Sequence, residues 1–249
     1  MSVMTGEVAD RTARLRAPIL AKATALPFPA WSTFAILGLV LGLLVTHWSI
    51  EPSRMRLVAS LPFLPLVLVT GAVTARIWWR VAHQLRWWRI EDGGLCIQGG
   101  LLGGLTVAVA GVWAIGDPPR YFLDAVVPGL FVGLAVARVG CLAGGCCAGR
   151  PSRSRWALWS YSGSVGGRRV PTQPLESLLC LGIAALALTG QPAAGSGALF
   201  VAAMAAYALG RQALWPLRDR RRPPSTRRPA AFVASTAALT GALVAIATT

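Results

Sequence analysis

Apolar residues run through this chain in long blocks, with neither the alternation of a half-buried strand nor the stripe of a surface helix. Charge-free stretches cover residues 23–50, 57–75, 93–116, 177–210 and 229–249. A bilayer core of ~30 Å takes about 20 apolar residues of helix, so each shorter block predicts one membrane span. The block 177–210 is too long for one, and Thr189-Gly190-Gln191-Pro192 divides it. A further span runs from about Tyr121 to Leu142 and carries Asp124 and Arg138 within it. The pattern predicts seven helices, near 31–50, 57–79, 95–115, 121–143, 174–190, 196–217 and 230–248. Trp31, Trp48, Trp78, Trp79, Trp113 and Trp215 fall at helix ends, where aromatic rings settle at the membrane interface. The expectation is an all-α polytopic bundle, one integral membrane domain over residues 1–249. Residues 1–30 form an N-terminal segment, and the Gly/Arg/Ser-rich stretch 144–173 forms a small cap.

Composition agrees. The 249 residues are 55% hydrophobic and 13% charged, with a mean hydropathy of +0.58; soluble proteins carry about 25% charged residues. The net charge is +15, and among 24 basic residues Lys22 alone is lysine. A nucleic-acid partner would need those cations on one soluble face; here they stand between apolar blocks, so nucleic acid is not expected. Residues 1–22 lack the arrangement of a signal peptide, and the first helix is expected to be retained. Counting basic residues puts Arg11, Arg14, Arg16, Lys22, Arg80, Arg86, Arg89, Arg150–Arg169 and Arg218–Arg228 on one side. Arg54, Arg56 and Arg120 fall on the other. By the positive-inside rule the N-terminus is cytoplasmic and the C-terminus outside.

Several residues do not suit lipid. An arginine at mid-bilayer costs about 2.5–3.5 kcal/mol even on the mild insertion scale. Arg76, Arg138 and Arg211 each lie inside or at the end of an apolar helix, and Tyr207 precedes Arg211 by four residues, on one helix face. The plain reading is snorkelling or pairing with a carboxylate. The functional one is a cationic clamp on phosphate, which guanidinium binds bidentately. Asp124 and Glu176 are each candidates for an arginine's partner or a catalytic group. Glycines crowd Gln98–Gly104 and Gly140–Arg150; they suit close helix approach and equally the approach of a lipid headgroup to Gly99, Gly100, Gly140 and Gly144. Cys96, Cys141, Cys146, Cys147 and Cys180 show no zinc spacing. They read as small packing residues, with a reactive thiolate beside Arg138 as the sharper alternative. No metal and no cofactor is called for.

At this point the motifs resemble a known family. The segment Gly93–Gly104 resembles the His-Gly-Gly-Leu region of bacterial prolipoprotein diacylglyceryl transferases. Asp124-Ala-Val-Val-Pro-Gly129, Arg138-Val-Gly140 and Gly149-Arg-Pro151 are similar to that family's Asp-x-x-x-Pro-Gly and signature segments. Pro171-Thr-Gln173 with Glu176, and Tyr207-x-x-x-Arg211 with Arg218, are similar to its later motifs. The resemblance implies transfer of the diacylglyceryl group of phosphatidylglycerol to the cysteine thiol of a lipoprotein signal peptide, with glycerol phosphate leaving, in the bacterial cytoplasmic (inner) membrane. It implies Arg138 and Arg211 as the phosphate clamp, with Tyr207 hydrogen-bonding nearby. Gln98 stands where the family has histidine, and Arg76, Gly99, Gly100, Gly140, Gly144 and Glu176 complete the substrate side. Cys141, Gly144 and Cys146 stand where the family has two asparagines and a glutamate, and Trp215 where it has a glutamate. The family also implies an N-terminus outside, opposite to the arginine count. Two other readings stand beside the active enzyme: a non-catalytic paralogue that binds anionic phospholipid, and an enzyme with another acceptor.

Overall fold

A computed structural model describes residues 30–49, 64–83, 97–145, 147–162, 165–189, 195–219 and Ala237. Its helices are α1 (Ala30–Ser49), α2 (Leu64–His83), α3 (Ile97–Ala114), α4 (Pro119–Ala143), α5 (Thr172–Thr189) and α6 (Ala198–Ala213), the last followed by a 3-10 turn at Trp215–Leu217. Among the described residues four helices are long and apolar enough to cross a membrane: Trp31–Ser49, Pro119–Ala143, Thr172–Thr189 and Ala198–Leu217. Leu66–Trp78 and Gly99–Ala114 are shorter apolar helices. The seventh expected span, 230–248, lies outside the described residues.

Punctuation in the sequence sets the helix ends. α4 begins on Pro119 at its first helical position, where a missing N–H costs nothing. It closes on Gly144 and on Gly145, whose φ of 65° is left-handed. The α1–α4 contact rests on two glycine pairs, Gly38-x-x-x-Gly42 and Gly129-x-x-x-Gly133. A Cβ added at Gly38 would lie 2.6 Å from the Gly133 carbonyl oxygen, and one at Gly42 would lie 2.7 Å from that of Gly129. With lipid on the outside there is no hydrophobic gain in helix association, so close backbone approach supplies the contact. The pairing is antiparallel and continues to Gly140 against Phe34 and Gly144 against Trp31. α2 and α3 pair likewise, Gly99 and Gly103 against Thr74 and Gly100 and Gly104 against Gly71.

The core lies between α4, α5 and α6: Phe131, Val127 and Leu134 pack with Cys180, Ile183 and Ala184 and with Ala203 and Tyr207. Ser177 Oγ donates to the Ala135 carbonyl at 2.9 Å, a tie from α5 to α4.

The cap departs from an all-α expectation. Leu158–Ser162 (β1) and Val165–Arg169 (β2) pair antiparallel, Leu158 opposite Arg169 and Ser162 opposite Val165. Within β1, Trp159-Ser-Tyr-Ser162 alternates large aromatic with small polar residues, the period of a strand. The cap is thus a β-hairpin between α4 and α5, strapped to the chain leaving α6. Gly149 bridges Arg218 and Pro151 bridges Arg169. Arg150 N–H donates to Leu217 O at 2.9 Å and Asp219 N–H to Ala148 O at 3.2 Å. A Cβ at Gly149 would meet the Leu217 oxygen at 2.9 Å. The start of α1, the ends of α4 and α6 and the hairpin therefore share one end of the bundle. This is the grouping of Arg150–Arg169 with Arg218 that the span order predicts.

Candidate functional site

A buried charge cluster stands where α4, α5 and α6 meet at the hairpin end. Arg138, in the last turns of α4 before its end at Ala143, is 5% exposed. Its Nη2 donates to Tyr207 Oη on α6 at 2.9 Å. Its Nε lies 2.8 Å from Glu176 Oε2 on α5, an ion pair whose angles fall outside hydrogen-bonding geometry. Glu176 is 1% exposed and also takes Arg218, just past the 3-10 turn, on its other oxygen. Burial first, with the like charge of Arg138 adding to it, pulls the Arg218 guanidinium down from its ordinary value; the pairing with Glu176 opposes both. Tyr207 is held edge-on against Phe131, centroids 5.6 Å apart. Arg211, one turn further along α6, lies over the Tyr207 ring at 5.7 Å, a cation–π contact.

Among the described residues the cluster's charge does not balance. The described carboxylates are Asp117, Asp124, Glu176 and Asp219. Asp124 accepts backbone N–H groups, Asp219 pairs with Arg169 at 2.9 Å, and Asp117 lies in the α3–α4 turn. Among the described residues, then, Glu176 alone faces the guanidiniums of Arg138 and Arg218, and Arg211 has the phenol ring in place of an acid. In a low-dielectric site such a surplus is costly unless an anion shares it.

Of the residues the sequence singles out, Arg138, Glu176, Tyr207 and Arg211 come together. Arg76 does not join them: it lies half-buried on α2, which packs on α3. Gln98 falls in the first turn of α3. Gly99 is closed off by Thr74 and Trp78, and Gly140 by Phe34, where a Cβ would lie 2.7 Å from Phe34 Cβ; these glycines serve helix contacts. Asp124 binds the backbone of a neighbouring helix. Buried at 0% exposure, it accepts Gly195 N–H and Gly197 N–H at 2.9 Å on Oδ2 and Phe200 N–H at 3.0 Å on Oδ1, so it caps α6 from across the bundle. Gly195 and Gly197 adopt φ of 132° and 82°, conformations that suit glycine and turn both amides onto one carboxylate. The sequence reading left Arg218 out of the site. Arg218 lies beyond α6, in extended backbone after the 3-10 turn, and the signal that points to it is the motif in which it follows Arg211.

Apolar helices of membrane-spanning length, with several arginines gathered at one end, define a membrane protein. A family model described as prolipoprotein diacylglyceryl transferase matches residues 18–248, and the chain belongs to that family. Three curated relatives carry the name phosphatidylglycerol–prolipoprotein diacylglyceryl transferase. The one from Gloeobacter violaceus is 31% identical over 175 residues, 64% of this chain and 64% of the relative. That from Dehalococcoides mccartyi is 32% identical over 134 residues, 50% of each. The Streptomyces coelicolor protein, numbered 1 in its name, is 34% identical over 128 residues, 49% of this chain and 37% of its own. The chain thus spans about half the length of the curated relatives it matches.

Proposed function

We propose that the chain transfers the diacylglyceryl group of phosphatidylglycerol to the cysteine thiol of a lipoprotein signal peptide. The site faces the lipid of a bacterial cytoplasmic membrane. The observation that supports this reading is the charge surplus among the described residues: Arg138, Arg211 and Arg218 against Glu176 where three helices meet, with Arg138 and Glu176 buried and the other two arginines half-buried. The shorter apolar helices and the segment 230–248 count as further spans in this reading, making seven with the four long ones.

In the reaction a carbon–sulfur bond forms at the terminal carbon of the diacylglyceryl group. The bond from that carbon to the phosphate oxygen breaks, and its electron pair stays on the departing glycerol phosphate. The thiol proton passes formally to that phosphate, so no net charge is created. The developing charge on oxygen is what a preorganised cation stabilises. Arg211 is the cation with no acid among the described residues, and it takes the phosphate. Arg138 is held rigidly by Glu176 and Tyr207 and completes a two-sided clamp. Gln98, an amide, orients substrate and cannot take the proton. The clamp is confined to α4, α5 and α6, with Arg76 outside it.

Reconstituting the full chain with phosphatidylglycerol and a lipobox signal peptide tests this, with mass spectrometry reading the adduct on the peptide cysteine. The wild type should form it, and Arg138→Ala and Arg211→Ala should each lose about 10²–10³-fold in rate while remaining folded. Lipid bound to folded wild type with no adduct would overturn transfer and leave a lipid-binding protein.

A further inference from the structure

The hairpin carries a second cationic surface, separate from the clamp. No acidic residue occurs between Asp124 and Glu176, and within that stretch Arg150, Arg153, Arg155 and Arg168 are exposed. Trp156 is 71% exposed and Leu158 44%. The turn that presents them is ordered. Ala157 N–H donates to Ser154 O at 3.0 Å, Ser154 and Trp156 N–H groups bond the Ser152 and Ser154 hydroxyls, and Arg168 Nη2 donates to the Ser154 and Ala157 carbonyls. Arg155 stacks over Trp156 at 5.1 Å.

Register fixes where this turn sits. Leu158 pairs with Arg169, and Arg169 is bonded to Gly149 O and to Asp219 beside the exit of α6. The Arg153–Trp156 turn is therefore at the end of the hairpin anchored to the helix bundle, opposite the Ser162–Val165 pair. A tryptophan ringed by arginines at the level where spans leave the bilayer has the chemistry of an interfacial anchor, and uniformly positive charge selects an anionic surface.

We infer that the Arg153–Trp156 turn, with Arg168, docks on anionic phospholipid headgroups of the adjoining leaflet, with the Trp156 ring inserted among them. This surface holds the hairpin against the membrane and does not depend on diacylglyceryl transfer.

The full chain in lipid nanodiscs tests it, with hydrogen exchange of residues 152–159 read by mass spectrometry. Discs of phosphatidylcholine are compared with discs containing phosphatidylserine, an anionic lipid that is not the proposed donor. Exchange should slow in the phosphatidylserine discs, by about fivefold for each contributing arginine from ~1 kcal/mol each. The protection should vanish at about 1 M salt, where screening shortens to ~3 Å. Arg153→Gln combined with Arg155→Gln should abolish the protection while matching wild-type exchange in phosphatidylcholine, which shows the hairpin intact. Equal exchange in both lipids would overturn the inference, as would protection that survives the double variant. So would protection given by phosphatidylglycerol alone, which would report substrate in the clamp. The same protection in an Arg138→Ala protein would separate this surface from catalysis.

Discussion

Tyr207 shows how one side chain sets several others. Its ring packs edge-on against Phe131, its face carries Arg211, and its hydroxyl accepts from Arg138. Tyr207→Phe keeps both ring contacts and removes one hydrogen bond to a charged donor, worth about 1.5–3 kcal/mol. If that bond orients Arg138 for the phosphate, transfer should fall by roughly tenfold to a hundredfold, alongside a melting temperature lowered by a few degrees; an unchanged rate in the adduct assay would place the hydroxyl outside the clamp. Glu176→Gln should act more strongly on stability. It removes the carboxylate that two guanidiniums share, and breaking a buried pair from one side costs about 3–5 kcal/mol, so melting in detergent should drop by several degrees. Arg138, Glu176, Tyr207 and Arg211 were legible in the sequence because charges inside apolar runs are conspicuous. Arg218 was not. It reaches Glu176 across 42 residues only because the hairpin folds the chain back to bridge Gly149, and hydropathy carries no trace of that.

At the scale of elements, the helix limits were readable wherever proline or glycine marked them, as at Pro118-Pro119 and Gly144-Gly145. The hairpin was not, since Gly, Ser and Arg surround its strands and lower their apolar signal to that of a loop. The glycines admitted two meanings, headgroup approach or helix approach, and composition alone cannot choose between them. The backbone does: at Gly129 and Gly133 the partner helix fills the space a side chain would need. Gly133→Leu should therefore prevent α1 from closing on α4 and lower the yield of folded protein in size-exclusion chromatography. Gly182, on α5 with nothing within 4 Å of an added Cβ, gives the opposite sign. Gly182→Ala should raise thermal stability by about 0.5–1 kcal/mol through the loss of unfolded-state freedom.

At the scale of the whole molecule, α6 is fastened at three levels. Asp124 caps its start from α4, Tyr207 meets Arg138 in its middle, and Asp219, beyond its end, pairs with Arg169 of the hairpin. Asp124→Ala frees three backbone donors and should cost about 1–2 kcal/mol or more, seen as a lower melting temperature; Asp124→Asn, with one acceptor oxygen left, should fall between. The charge surplus at the end of α6 has a consequence for how this protein behaves when no lipid is bound. With guanidinium in excess of carboxylate there among the described residues, small inorganic anions should bind the resting protein, and binding to the folded state alone would stabilise it by mass action. Sulfate at about 100 times its dissociation constant would add ~2.7 kcal/mol. Because sulfate also strengthens burial in general, the telling quantity is the difference: its effect on the melting temperature should be larger for the wild type than for Arg211→Ala. The same anions would then compete with phosphatidylglycerol, so the choice of buffer salt sets the apparent affinity for the donor.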